Sequence, residues 1–196
     1  MSYLYKSNEG RIFPKFKLYH EDEQLSQLHF KIYGRKLLYV KNPTNESFTA
    51  RVKVSYKLFS SYDSEMVIDS SSFYLEDVNP EQLNNELLGF VELKIDSGFY
   101  LMSILTTDLN RKNSERSFIE VYKGNRTHRQ NFKVVDAVSG EMLFEPYVST
   151  GQKLRVYYNQ SQIDLIKVNY YDREFGMPPP PFASSSRSKF DYSSDS

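Results

Sequence analysis

Residues 48–59 read Phe48-Thr49-Ala50-Arg51-Val52-Lys53-Val54-Ser55-Tyr56-Lys57-Leu58-Phe59. Ala50, Val52, Val54, Tyr56 and Leu58 fall on one side of an extended chain. Thr49, Arg51, Lys53, Ser55 and Lys57 fall on the other. An unbroken two-residue rhythm of this length predicts a β-strand with one buried and one solvated face. Such a strand needs neighbours to satisfy its backbone and a second layer to cover its apolar side. Further strands are therefore expected on either side of it.

Upstream, Pro14 opens a strand over Lys15–His20 in which Phe16, Leu18 and His20 share a face; Pro is tolerated at a strand's first position. His20 to Glu23 form a charged turn. Leu25–Tyr33 follows, with Leu28, Phe30 and Ile32 inward and His29, Lys31 and Tyr33 outward. Gly34-Arg35 turns the chain into Leu37–Val40, and Asn42 to Asn45 form a turn cluster. Downstream, Glu65–Glu76 reads as a strand weakened by Ser70, Ser71 and Ser72. Asn79-Pro80-Glu81 carries helix-start signals for one or two turns, up to about Asn85. Leu87–Ile95 and Phe99–Leu109, separated by Asp96-Ser97-Gly98, predict a hairpin. In Ser117–Tyr122, Phe118, Glu120 and Tyr122 stand opposite Ser117, Ile119 and Val121.

Roughly seven or eight short strands with almost no helix predict an all-β chain over residues 1–124. Its natural form is an immunoglobulin/fibronectin-III-like antiparallel β-sandwich. The Cys-Trp-Cys pattern of antibody domains is absent, since the chain has neither Cys nor Trp. The polar Lys123–Thr127 stretch, with Gly124, marks a boundary. Beyond it, Asn131–Val135 and Glu141–Phe144 flank a hairpin turn at Asp136–Gly140, and Lys153–Tyr158 and Ile163–Tyr171 add two strands. Residues 125–182 thus form a second, smaller β unit, too few strands for an independent sandwich and therefore incomplete or leaning on the first. The prolines Pro178 to Pro181 favour a polyproline II form, and residues 183–196 make a flexible Ser-rich tail.

Composition narrows function. Lys plus Arg and Asp plus Glu are both 25, a formal charge of zero, so no nucleic-acid partner is expected. Without Cys there is no disulfide, thiolate nucleophile or thiolate metal site. No window holds the roughly 18 apolar residues that span a bilayer, so no membrane-spanning segment is expected. Tyr (16) and Phe (14) are abundant, which suits pleated sheets and aromatic cores.

No constellation names a reaction. His20-Glu21-Asp22-Glu23-Gln24 starts like a zinc-protease motif but lacks the second His and sits in a turn. His20, His29 and His128 are scattered and make no ligand set. No Gly-x-Ser-x-Gly elbow and no Gly-x-Gly pair is present. Lys123, Arg126, His128 and Arg129 form a small basic cluster suited to an acidic partner or phosphate, or to a plain polar hinge. Asp63, Asp108 and Asn110 lack the spacing of a calcium cage and read as turn residues. Tyr33, Tyr157 and Tyr171 are outward tyrosines suited to stacking on a sugar or a partner, or to packing across strands. Asn45, Asn125 and Asn159 head glycosylation acceptor patterns that matter only in a eukaryotic secretory chain. No catalytic residue, metal ligand or cofactor site is expected.

Arg129-Gln130-Asn131-Phe132 opening a strand, the Asp136–Phe144 hairpin, and Tyr170-Tyr171 ahead of Pro178–Phe182 carry a resemblance. Pro14-Lys15-Phe16, Leu37-Leu38-Tyr39 and Ala50–Leu58 stand upstream in the same order. Over residues 12–182 the chain resembles the N-terminal β region of the GWxTD domain-containing proteins of Bacteroidota. The Gly-Trp-x-Thr-Asp signature, which lies far downstream in that family, is absent here. The resemblance implies an exported protein of the periplasm or outer membrane, with its signal and any lipid anchor outside this chain. It supplies no reaction and no catalytic residues. The expected function is that of a non-enzymatic cell-envelope protein, an interaction or structural accessory module for envelope protein partners. The alternative is a carbohydrate-binding module, which the lack of Trp disfavours.

Overall fold

The computed structural model describes residues 10–43, 47–78, 85–159, 166–170 and 188–192, the last two as backbone strands. Asn45, Tyr171, Pro80 and the Pro178–Pro181 run lie outside them, as does the expected helix start beyond Val78. Among the described residues twelve strands follow one another: β1 (Lys15–His20), β2 (Leu25–Tyr33), β3 (Val40–Lys41), β4 (Phe48–Phe59), β5 (Val67–Val78), β6 (Glu86–Lys94), β7 (Gly98–Asp108), β8 (Asn113–Lys123), β9 (Phe132–Asp136), β10 (Leu154–Tyr158), β11 (Ile166–Tyr170) and β12 (Ser188–Tyr192). Gly34–Lys36 and Arg129–Asn131 are single 3-10 turns. The protein is all-β, and every strand pairing among the described residues is antiparallel.

The chain divides into two compact units, residues 1–159 and 160–196. In the second, β11 pairs with β12, Val168 opposite Phe190. Ser188–Tyr192, assigned by the sequence to the tail, thus runs as a strand. The strands β9 and β10 belong to the first unit.

The first unit holds a three-stranded sheet, β1-β2-β6, and a larger sheet in which β5, β4, β7 and β8 lie side by side. β3 pairs with the first residues of β4. The order 1-2-6 facing 5-4-7-8 is compatible with an immunoglobulin-like sandwich. The alternation of β4 holds from Ala50 to Leu58: Ala50, Val52, Val54, Tyr56 and Leu58 are buried, whereas Arg51 and Lys57 are exposed; Thr49, on the expected solvated side, is buried. They join one core with Leu18, Leu28, Ile32 and Leu93 of the smaller sheet and Met102, Ile104 and Val121 of the larger. Neither sheet hides its apolar face without the other.

Two sequence expectations change. The Asp96-Ser97-Gly98 connection is not a hairpin, because β6 pairs with β2 while β7 pairs with β4 and β8. The short loop carries the chain across the core from one sheet to the other. Loop length and Gly predict a tight turn but do not say which partners the flanking strands take. Around Asp136, Val135 makes one bridge to Met142, and Leu143 N–H donates to the Val134 carbonyl (3.0 Å), while the main partner of β9 is β10.

Leu28 is fully buried in β2, and Arg51 extends from β4 into solvent with only a 3.7 Å ion pair to Glu76. Leu28→Ala should cost about 2–5 kcal/mol in urea unfolding, and Arg51→Ala less than about 0.5 kcal/mol. Equal losses would contradict the assignment of inner and outer faces.

Candidate functional site

Two places gather chemistry. The first lies at the end of the core where β1 stops and β2 starts. His20 and Ser26 stand opposite each other in the β1–β2 ladder, both on the core side. Lys123, at the end of β8, continues the inward row of Ile119 and Val121. His20 is 1% exposed, Ser26 0% and Lys123 5%. Ser26 Oγ lies 2.9 Å from His20 Nδ1 and 3.0 Å from Lys123 Nζ. A lysine ammonium can only donate, so Ser26 accepts from Lys123, and the direction of its bond with His20 Nδ1 follows the tautomer of the ring. His20 Nε2, on the far side of the ring, is buried without a hydrogen-bond partner.

Burial, helped by the Lys123 charge, pushes the His20 pKa down to about 4. Burial likewise lowers the Lys123 pKa, against the pull of Asp22 and Asp96. A serine flanked by a base has nucleophile geometry, but it needs a path for substrate. Here all three groups are sealed between the sheets. What the arrangement does is tie the smaller sheet, through His20 and Ser26, to the larger one, through Lys123.

The other residues singled out in the sequence scatter. Asp22 Oδ1 accepts from the N–H groups of Gln24 (2.7 Å) and Leu25 (2.6 Å), so the apparent zinc motif is a hairpin turn. His128 accepts from Gln130 N–H, capping the 3-10 turn, and lies tilted against the Tyr122 ring at 4.5 Å. With Lys123 buried and His128 in this role, the basic cluster does not form one surface patch; Arg126 and Arg129 remain exposed.

Asp108 accepts from Leu38, Asn110 and Arg111 N–H groups, and Asn110 Nδ2 donates to the carbonyls of Leu38 and Thr49. Asp63 lies past the other end of β4. Among the described residues no three His, Asp or Glu side chains converge on a metal site. Asn125 accepts from Thr127 N–H and hydroxyl in an Asx turn, and Asn159 donates to Asn131.

His29 is a correction. It faces away from the core as its strand position requires, yet it is buried. It lies against Phe90 at 5.2 Å and bonds Gln27 at 3.0 Å. The outer face of β1-β2 is sheltered by later chain: Lys133 lies over the Tyr19 ring, Lys17 donates to the Leu143 carbonyl, and Lys15 pairs with Glu145. Burial, followed by the Lys133 charge, lowers the His29 pKa to about 4. Tyr33 has Lys15, Lys31 and Arg35 over its ring, and Tyr157 has Lys133. These tyrosines are engaged by cations and do not form an open row.

The second place was not recognised from sequence. On the outer face of the larger sheet Glu120 accepts hydrogen bonds from the hydroxyls of Tyr62 and Tyr122. Both bonds hold its carboxyl below the usual range. Tyr122 packs on Phe99 at 4.9 Å. Phe118, two residues along the same face, is 60% exposed, and Tyr62 and Phe99 are exposed too. Phe59, Leu101 and Glu120 stand in one row across β4, β7 and β8. The signal was present: Phe118 and Tyr122 alternate in phase with Glu120, on the side that carries charge.

No protein-family model matches this chain, and no curated protein matches its sequence.

Both buried histidines are neutral in the fold at pH values where an unfolded histidine, with a pKa near 6.5, takes up a proton. Stability should therefore fall as pH drops from about 6.5 to about 4 and flatten below, by up to about 3 kcal/mol per histidine. Urea unfolding across this range checks it, and His20→Gln should flatten part of the slope. A level profile between pH 7 and 4.5 would refute the buried neutral assignment.

Proposed function

We propose that this chain is a non-enzymatic interaction module of an exported cell-envelope protein, binding a protein partner through the outer face of its larger sheet. The observation that carries this reading is the group of exposed Tyr62, Phe99 and Phe118 with half-buried Tyr122 around Glu120. Aromatic residues with polar tips are over-represented at the energetic centres of protein interfaces. A constellation with nucleophile geometry among the described residues, His20–Ser26–Lys123, is sealed in the core, which supports a binding role over a catalytic one. The envelope setting rests on the resemblance to the GWxTD domain-containing proteins. A ring-lined face beside a carboxylate also suits a sugar, which keeps carbohydrate binding as the competing outcome.

Phe118→Ser removes an exposed ring and should leave unfolding within about 0.5 kcal/mol of wild type. It should weaken a stoichiometric partner recovered from envelope extract by about thirtyfold or more. Undiminished binding by Phe118→Ser and by Tyr62→Ser would reject this face as the site. Saturable binding on a glycan array, abolished by the same substitutions, would replace the protein partner with a carbohydrate.

A further inference from the structure

Among the described residues β5 pairs with β4 alone, so its far edge presents unpaired backbone N–H and C=O groups. Natural edge strands are usually blunted by Lys, Pro, a bulge or brevity. β5 has a bulge at Ile68, near its start, where the register with β4 shifts. From Asp69 to Val78 it runs in unbroken register and contains no Lys, Arg or Pro. Its acids are engaged within the chain. Asp69 accepts from Tyr56, Asp77 accepts from Tyr39, and Glu76 faces Arg51. Ser70, Ser71 and Ser72 are exposed and small, and Tyr74 is 66% exposed.

We infer that β5 pairs antiparallel with β5 of a second copy of this chain, joining the two larger sheets into one. A two-fold axis normal to the sheet keeps outer faces outward, so only residues of the same face stand opposite one another. Centring the pair on Phe73 would set Asp69 against Asp77, a like-charge opposition. Centring it on Ser72 would run the ladder into the bulge at Ile68. Centring it on Tyr74 avoids both. Tyr74 of one copy then meets Tyr74 of the other, Phe73 meets Leu75, Ser72 meets Glu76, Ser71 meets Asp77 and Ser70 meets Val78. Aromatic, apolar and hydroxyl–carboxylate pairs fill every position, so the serines that weaken the strand by itself are matched in the pair. This inference stands apart from the binding face on β7 and β8.

The full chain should show a monomer–dimer equilibrium in sedimentation between roughly 1 and 100 µM. The protein has no Cys, so one introduced thiol reports the register. Tyr74→Cys places two sulfurs within disulfide reach and should give a covalent dimer under mild oxidation. Ser72→Cys, four residues off its own mate, should not. Ser72→Glu, which would face Glu76, should raise the dimer dissociation constant about tenfold. A monomer at every concentration would overturn the inference. So would a dimer that cross-links as readily through Ser72→Cys as through Tyr74→Cys, or one indifferent to Ser72→Glu.

Discussion

Contact between the inner faces of two antiparallel sheets is the interaction on which the remainder of this structure depends. Val52, Val54, Tyr56 and Leu58 contribute one side, and Leu18, Leu28 and Ile32 the other. Each sheet alone would leave a continuous apolar surface in water, at roughly 25 cal/mol per Å². The contact also fixes what the strands can display. With even-numbered residues of β4 committed inward, the odd-numbered ones and their neighbours on β7 and β8 must face out, and the aromatic surface around Glu120 follows from that phase.

The core's ends are closed by polar groups. Gly98 pairs with Lys123 at one end of the β7–β8 ladder and Asp108 with Asn113 at the other. At the first, Ser26 couples His20 to Lys123; at the second, Asp108 and Asn110 bind the loop at Leu38 and the start of β4 at Thr49. Buried polar groups are costly unless bonded. Most of these are, whereas His20 Nε2 and Thr106 Oγ1 lack partners. The His-Ser-Lys geometry, which in an open cleft would invite a catalytic reading, is here a fastening between layers.

Much of this was legible in the chain. The β4 rhythm gave the strand, its faces and the need for a second layer, because hydropathic alternation is set locally. The β1–β2 hairpin could be read from the charged run at Glu21–Glu23. Partner choice could not: the loop at Asp96–Gly98 looks the same whether its strands pair or part. His29 stood on a predicted outward face, and its cover comes from Phe90 and from chain near Lys133, far along the sequence. Lys123, Arg126, His128 and Arg129 are neighbours in sequence, yet strand alternation turns Lys123 inward. The aromatic face escaped because Tyr62 lies in a turn and meets Glu120 only through folding.

One side chain limits how the larger sheet can grow. Gln130 donates to the Glu120 carbonyl (2.6 Å) and accepts from Tyr122 N–H (2.8 Å), taking the place a neighbouring strand would hold beside β8. Lateral growth is thereby obstructed on that flank, while among the described residues the opposite flank, β5, pairs with nothing beyond β4. A sheet that has one such border among the described residues can satisfy it once, by symmetry, and then has nothing left to offer. Such asymmetry favours finite particles over filaments, a safeguard for a strand-rich chain.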